Sequence, residues 1–148
     1  MTDLTQLSGL EQVAALASTG KPFAPIAEHF NMTEVGYAVG DVTFEATPDA
    51  SHYNPIGTVH GGFAAALLDS ACGSAVHTTL RPGEAYTSLE IKVNFLRTIT
   101  TDTGTVRVHG WVTKTGSRAS FAEADIRDAA GKVLATASST CAVFPAKG

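Results

Sequence analysis

Charge is scarce in this chain, and positive charge scarcer still. Among 148 residues there are 10 Lys and Arg against 14 Asp and Glu, a formal net charge of −4. The cations are scattered, so no basic run is available to follow a phosphate backbone, and nucleic-acid binding is not expected. Cysteine is nearly absent. Cys72 and Cys141 lie far apart without metal-ligand or redox spacing, and read as two buried small residues. Long apolar runs are missing too: the longest, 61–76, is short for a membrane span and is interrupted by Asp69. Residues 1–30 lack the basic start and apolar core of a signal peptide. A soluble, cytoplasmic protein with no membrane partner is the expectation.

What is present is a globular composition, 44% hydrophobic and 16% charged, at the length of one domain. Ser8 and Glu11 form a capping box ahead of Leu10, Val13, Ala14 and Ala17 at helical spacing, which predicts a short helix ending near Gly20. Pro22 and Pro25 interrupt the chain, and residues 26–30 add one helical turn. Residues 1–33 therefore read as a helical packing arm without chemistry, followed by the main domain at 34–148. Residues 34–47, rich in Val, Tyr, Phe and Thr, predict one long strand bent at Gly40.

A loop with Pro, Asp, Ser and Asn spans 48–57, and residues 61–79 predict a helix stopped by Arg81-Pro82-Gly83. Four strands follow at 87–97, 104–114, 118–128 and 132–144. The tight-turn sequences at 115–117 and 128–131 make the last three an antiparallel meander. The fold class is α+β: one long helix lying across a five-stranded antiparallel sheet. The helix is apolar nearly all round, so a second subunit is the natural cover for the faces the sheet leaves open.

Asp69 is the only fully charged residue between His60 and Arg81. Its helical neighbours, Ala65, Ala66, Cys72 and Gly73, offer no partner. An unpaired buried carboxylate costs several kcal/mol or shifts its pKa upward, which favours function over stability as its reason, with a solvent channel or a structural pin as the alternatives. At the start of the helix, Val59-His60-Gly61-Gly62 allows close approach to the backbone. First-turn N–H groups lack intrahelical partners there and suit an oxygen gaining negative charge. Gly61 and Asp69 lie about 12 Å apart along the helix at ~1.5 Å per residue. They can meet on one substrate if an antiparallel partner helix brings the Asp69 of one chain beside the Gly61 of the other.

These residues carry a resemblance. The stretch HYNPIGTVHGGFAAALLDSACGSA, with TSLEIKVNFLR and DAAGKVLATASSTCAVF after it, resembles the hotdog-fold acyl-CoA thioesterases of the phenylacetic-acid-degradation and 4-hydroxybenzoyl-CoA types, over residues 34–144. The resemblance implies that Asp69 is the nucleophile or general base and that the Gly61 N–H polarises the thioester carbonyl. It implies that Asn54 helps hold the substrate or the attacking water, from a loop position whose replacement should barely alter stability. His60 and Gly62 belong to the same motif, His60 orienting the loop or touching substrate. The site is shared, Asn54 and Gly61 from one chain and Asp69 from its partner.

Ser88 aligns with a serine that assists catalysis in some relatives. Strand alternation instead places Thr87 on the face shared with Leu89 and Ile91, unless a bulge intervenes. Arg97, followed here by Thr98 where relatives often carry proline, and the turn Gly116-Ser117-Arg118 match positions that contact coenzyme A. No metal or organic cofactor is implied, coenzyme A being part of the substrate. The expected assembly is a homodimer or homotetramer. The rival readings are a hotdog hydratase acting on enoyl or hydroxyacyl thioesters, which needs a histidine beside a carboxylate, and a non-catalytic acyl-CoA-binding module.

Overall fold

The computed structural model describes residues 3–147. The capping box forms as expected: the Ser8 N–H donates to Glu11 Oε2 at 2.8 Å and Ser8 Oγ accepts from the Glu11 N–H at 3.3 Å, opening α1, Gly9–Ala17. A one-turn helix, α2, covers Pro25–His29. The strand expected over 34–47 is two strands, β1 at Met32–Ala38 and β2 at Asp41–Ala46. They pair antiparallel, with Ala38 opposite Asp41. Gly40 does not bend a strand; it reverses the chain, at a φ of 71° that L side chains rarely adopt, and its N–H is taken by Thr78 Oγ1 at 2.7 Å. The sheet therefore has six strands rather than five.

The remaining elements are α3 at Gly61–His77, β3 at Glu84–Phe95, β4 at Val106–Lys114, β5 at Ala119–Arg127 and β6 at Val133–Pro145. Every pairing is antiparallel, in the order β1-β2-β4-β5-β6-β3, so the expected β4-β5-β6 meander is present and β3 closes it by pairing with β6. β1 and β3 are the two free edges.

The long helix α3 lies across one face of this sheet and touches β2, β3, β4, β5 and β6. Leu67, Leu68, Ala71, Cys72 and Val76 point into the sheet and are fully buried with Phe44, Val106, Val108 and Ile126. Its other face, with Ala65, Ala66, Asp69, Ser70, Ser74 and His77, is only half covered. The arm packs back onto this body, Phe23 against Phe44 at a ring separation of 4.8 Å. Among the described residues no helix is long and apolar enough to cross a membrane, and both cysteines are buried and free.

Candidate active site

The centre of the site is set by an irregularity in β3. Ser88 pairs with Cys141 and Glu90 with Thr140, leaving Leu89 as an extra residue in the ladder. A bulge of this kind resets which face the following side chains occupy. Ser88 turns toward α3, and its Oγ donates to Asp69 Oδ1 at 2.9 Å. The alternation that favoured Thr87 does not survive the bulge, and Thr87 lies exposed, away from Asp69's cavity. Nor is Asp69 the fully buried, partnerless carboxylate its helical neighbours suggest. It is half-buried and its partner comes from the sheet. Its Oδ2 has no hydrogen-bond partner among the described residues.

The ionisable groups around Asp69 are driven to their neutral forms. Burial, reinforced by Cys141, pushes the Cys72 thiol up to about 12, and burial raises Cys141 as well. Burial also pushes the Tyr86 phenol up to about 12, with Cys141 and Asp69 adding to it. His77 is held below its ordinary value by burial and stands edge-on to Tyr86, with ring centroids 5.6 Å apart. Asp69, Ser88, Tyr86 and His77 line a cavity of about 620 Å³. Tyr86 and His77 were not among the candidates from sequence. The i, i+4 spacing of Asp69, Gly73 and His77 on one helical face was the signal for His77.

The start of α3 forms a second cluster. His60 caps the helix, its Nδ1 accepting the Gly62 N–H at 2.7 Å, so that donor is spent. The Gly61 N–H has no acceptor among the described residues and remains the open first-turn donor. A Cβ at Gly61 would stand 3.1 Å from the Phe95 ring, so the position fits glycine closely. His60, Gly61 and Arg97 line a cavity of about 280 Å³, with Phe95 and Leu96. In one chain Gly61 and Asp69 thus face separate cavities.

Asn54 is committed to its own loop. Its Oδ1 accepts the Ile56 N–H at 3.1 Å and the Thr58 N–H at 3.2 Å, and its Nδ2 donates to Thr58 Oγ1 at 2.9 Å. The loop ends on a bridge between Tyr53 and Val59 that leads into His60. Asn54 therefore holds the shape of the segment delivering Gly61, and its three hydrogen bonds argue against the expectation that its loss leaves stability untouched. Gly116, Ser117 and Arg118 form the exposed β4–β5 turn, outside both cavities. Among the described residues no group of three or more His, Cys, Asp and Glu side chains is placed to hold a metal ion.

Residues 56–135, more than half of the chain, match the family model of the thioesterase superfamily. Acyl-coenzyme A thioesterase 13 from Homo sapiens is 29% identical over 136 residues, covering 91% of this chain and 93% of its own, as is that from Pongo abelii. The PaaI protein of the E. coli phenylacetic acid degradation operon superposes with a TM-score of 0.79 at 18% identity, over 95% of this chain and 94% of its own. A Streptococcus mutans protein, smu.793, solved bound to acetyl CoA, superposes with a TM-score of 0.72 at 21% identity, over 80% of this chain and 92% of its own.

Proposed function

The chain belongs to the thioesterase superfamily and has its hotdog fold, and from that premise we propose that it hydrolyses an acyl-coenzyme A thioester to a carboxylic acid and free coenzyme A. The observation that carries the reading is the state of Asp69: one oxygen is held by Ser88, the other is unengaged, and a cavity opens beside them. Oδ2 is then the reacting atom. As nucleophile it forms a bond to the thioester carbon, and collapse of the tetrahedral oxyanion expels coenzyme A thiolate and leaves an anhydride for water to open. As general base it takes a proton from water, the hydroxyl adds to the carbon, and the proton leaves with the thiolate. In either route the Gly61 N–H stabilises the oxyanion. His60 supports this by consuming the Gly62 N–H. Arg97, beside Gly61, and the Gly116–Arg118 turn are the groups suited to the polar arm of coenzyme A.

The separation of the two cavities supports a site shared between two copies. β3 is a 12-residue edge strand with Leu89 and Phe95 exposed at 63% and 61%, a template for pairing with its own copy about a two-fold axis. Such pairing sets the two α3 helices antiparallel on one face of a continuous sheet. Phe121 and Phe144, also exposed, offer a surface for a dimer of dimers. Light scattering should give a dimer or tetramer, and a stable, active monomer contradicts the shared site.

Thiol release from a panel of acyl-CoAs, abolished in Asp69→Asn, tests the activity. Loss of the enoyl absorbance of crotonyl-CoA without thiol release indicates a hydratase instead, and acyl-CoA binding without turnover indicates a binding module.

A further inference from the structure

The cavity beside Asp69 has two walls of different origin. One is α3 and β3, which carry Asp69, Ser88 and Tyr86; the other is the N-terminal arm with the start of β1, which contributes Val13, Leu16 and Ala17 from α1, Phe23 and Ile26 after it, and Met32 and Glu34 from β1. Leu16 is 38% exposed, an apolar side chain that the core does not cover, and the surface it presents lines this cavity. The start of the arm is fixed by backbone contacts between residues outside the cavity lining. The Gly9 N–H donates to the Leu80 carbonyl at 3.0 Å and the Gly83 N–H donates to the Thr5 carbonyl at 2.9 Å. A Cβ on Gly9 would fall 1.7 Å from the His77 carbonyl oxygen, so only glycine lets α1 sit this closely on the end of α3. His77 is two helical turns beyond Asp69, about 12 Å at ~1.5 Å per residue. Asp69, His77 and the three α1 residues line this one cavity, so the arm closes a groove that begins at the carboxylate.

We propose that α1 is the end wall of the acyl chamber, and that Val13, Leu16 and Ala17 set the length of the apolar acyl group presented to Asp69. This rests on the thioesterase reading. It gives the arm, which from sequence is packing alone, a role in substrate selection. An acyl chain lying along α3 gains apolar contact with each added methylene, about fourfold in kcat/KM per CH₂, until its end meets α1. Beyond that length, overpacking reverses the gain.

The test is thiol release from the saturated straight-chain series, acetyl- to dodecanoyl-CoA, with the full-length protein. The readout is the ratio of kcat/KM between successive chain lengths, which cancels any difference in folded fraction between preparations. In Ala17→Phe the wall moves inward, and the ratio of the longest accepted chain to one two carbons shorter should fall at least tenfold. In Leu16→Ala the optimum should move to longer chains. Gly9→Val, which displaces α1 without altering a lining residue, should flatten the discrimination among long chains. Unchanged chain-length profiles in Ala17→Phe and Leu16→Ala, with turnover intact, overturn the wall and leave the hydrolase standing. Absence of turnover in the wild type across the series overturns the hydrolase reading and the wall with it.

Discussion

Ser88→Ala isolates what the bulge in β3 accomplishes. The hydroxyl makes one hydrogen bond, 2.9 Å to Asp69 Oδ1, and its removal leaves the carboxylate chemically intact but free to rotate. A hydrogen bond to a charged acceptor contributes about 1.5–3 kcal/mol when well buried. Ser88 is exposed and Asp69 half-buried, so water replaces part of it and about 1–1.4 kcal/mol is the expected loss. At about 1.4 kcal/mol per decade, kcat should fall roughly five- to tenfold. Asp69→Asn, which removes the reacting charge, should cost about 10²–10⁴. Its amide oxygen can still accept from Ser88, so Tm should stay within about 2 °C of wild type. The double variant should be no slower than Asp69→Asn alone, because the serine acts only through the carboxylate it aims. Ser88→Thr, keeping the hydroxyl on a strand, should recover most of the rate. Steady-state thiol release and thermal melts on wild type and the four variants give all of these numbers. Multiplicative losses in the double variant refute the reasoning, since Ser88 then has a contact of its own. So does an Asp69→Asn protein that melts early and still turns over.

Asn54→Ala removes three hydrogen bonds within one loop and should destabilise by about 1–3 kcal/mol, lowering Tm by roughly 3–10 °C; a thermal melt unchanged from wild type would return Asn54 to a purely chemical role. Native protein at pH 8 should show neither thiol to DTNB, because Cys72 and Cys141 are both 0% exposed and burial raises both pKa values, with two thiols appearing in guanidinium. Tyr86, raised from 10.0 to about 12, contributes stability that is fully present below pH 10 and is lost as pH rises through about 12. The folded state keeps the proton there after the unfolded state has released it, a total on the order of 2–3 kcal/mol. Urea unfolding at pH 9 and pH 11.5 should show that decline, and Tyr86→Phe should show less of it.

Much of this architecture is written locally. The alanine-rich run after Gly61-Gly62 and the stop at Arg81-Pro82-Gly83 give α3, and the two tight turns give the meander. The β1–β2 hairpin was hidden because Gly40 suits either a bent strand or a reversal, and the groups that hold the reversal, Thr78 Oγ1 on its N–H and the Val112 N–H on its carbonyl, lie far away in sequence. The site was legible in its residues and not in its contacts. Asp69 lacks a partner within its helix, and its partner arrives from a strand nineteen positions away. That strand's alternation pointed to Thr87, because a bulge leaves no mark in hydrophobic period until the ladder beside it is known. Tyr86 and the inner surface of α1 were missed for the same reason, since cavities form between elements.

The extra residue at Leu89 also ties association to chemistry. β3 is both the free edge of the sheet and the strand that aims the carboxylate. Ser88 is held opposite Cys141 and Glu90 opposite Thr140 on either side of Leu89, so a slip of β3 by one step against β6 would turn Ser88 outward while shifting every backbone group offered to a second copy. Variation along this strand is therefore constrained twice over: changes that preserve its register against β6 are open to it, and changes that slip it are not.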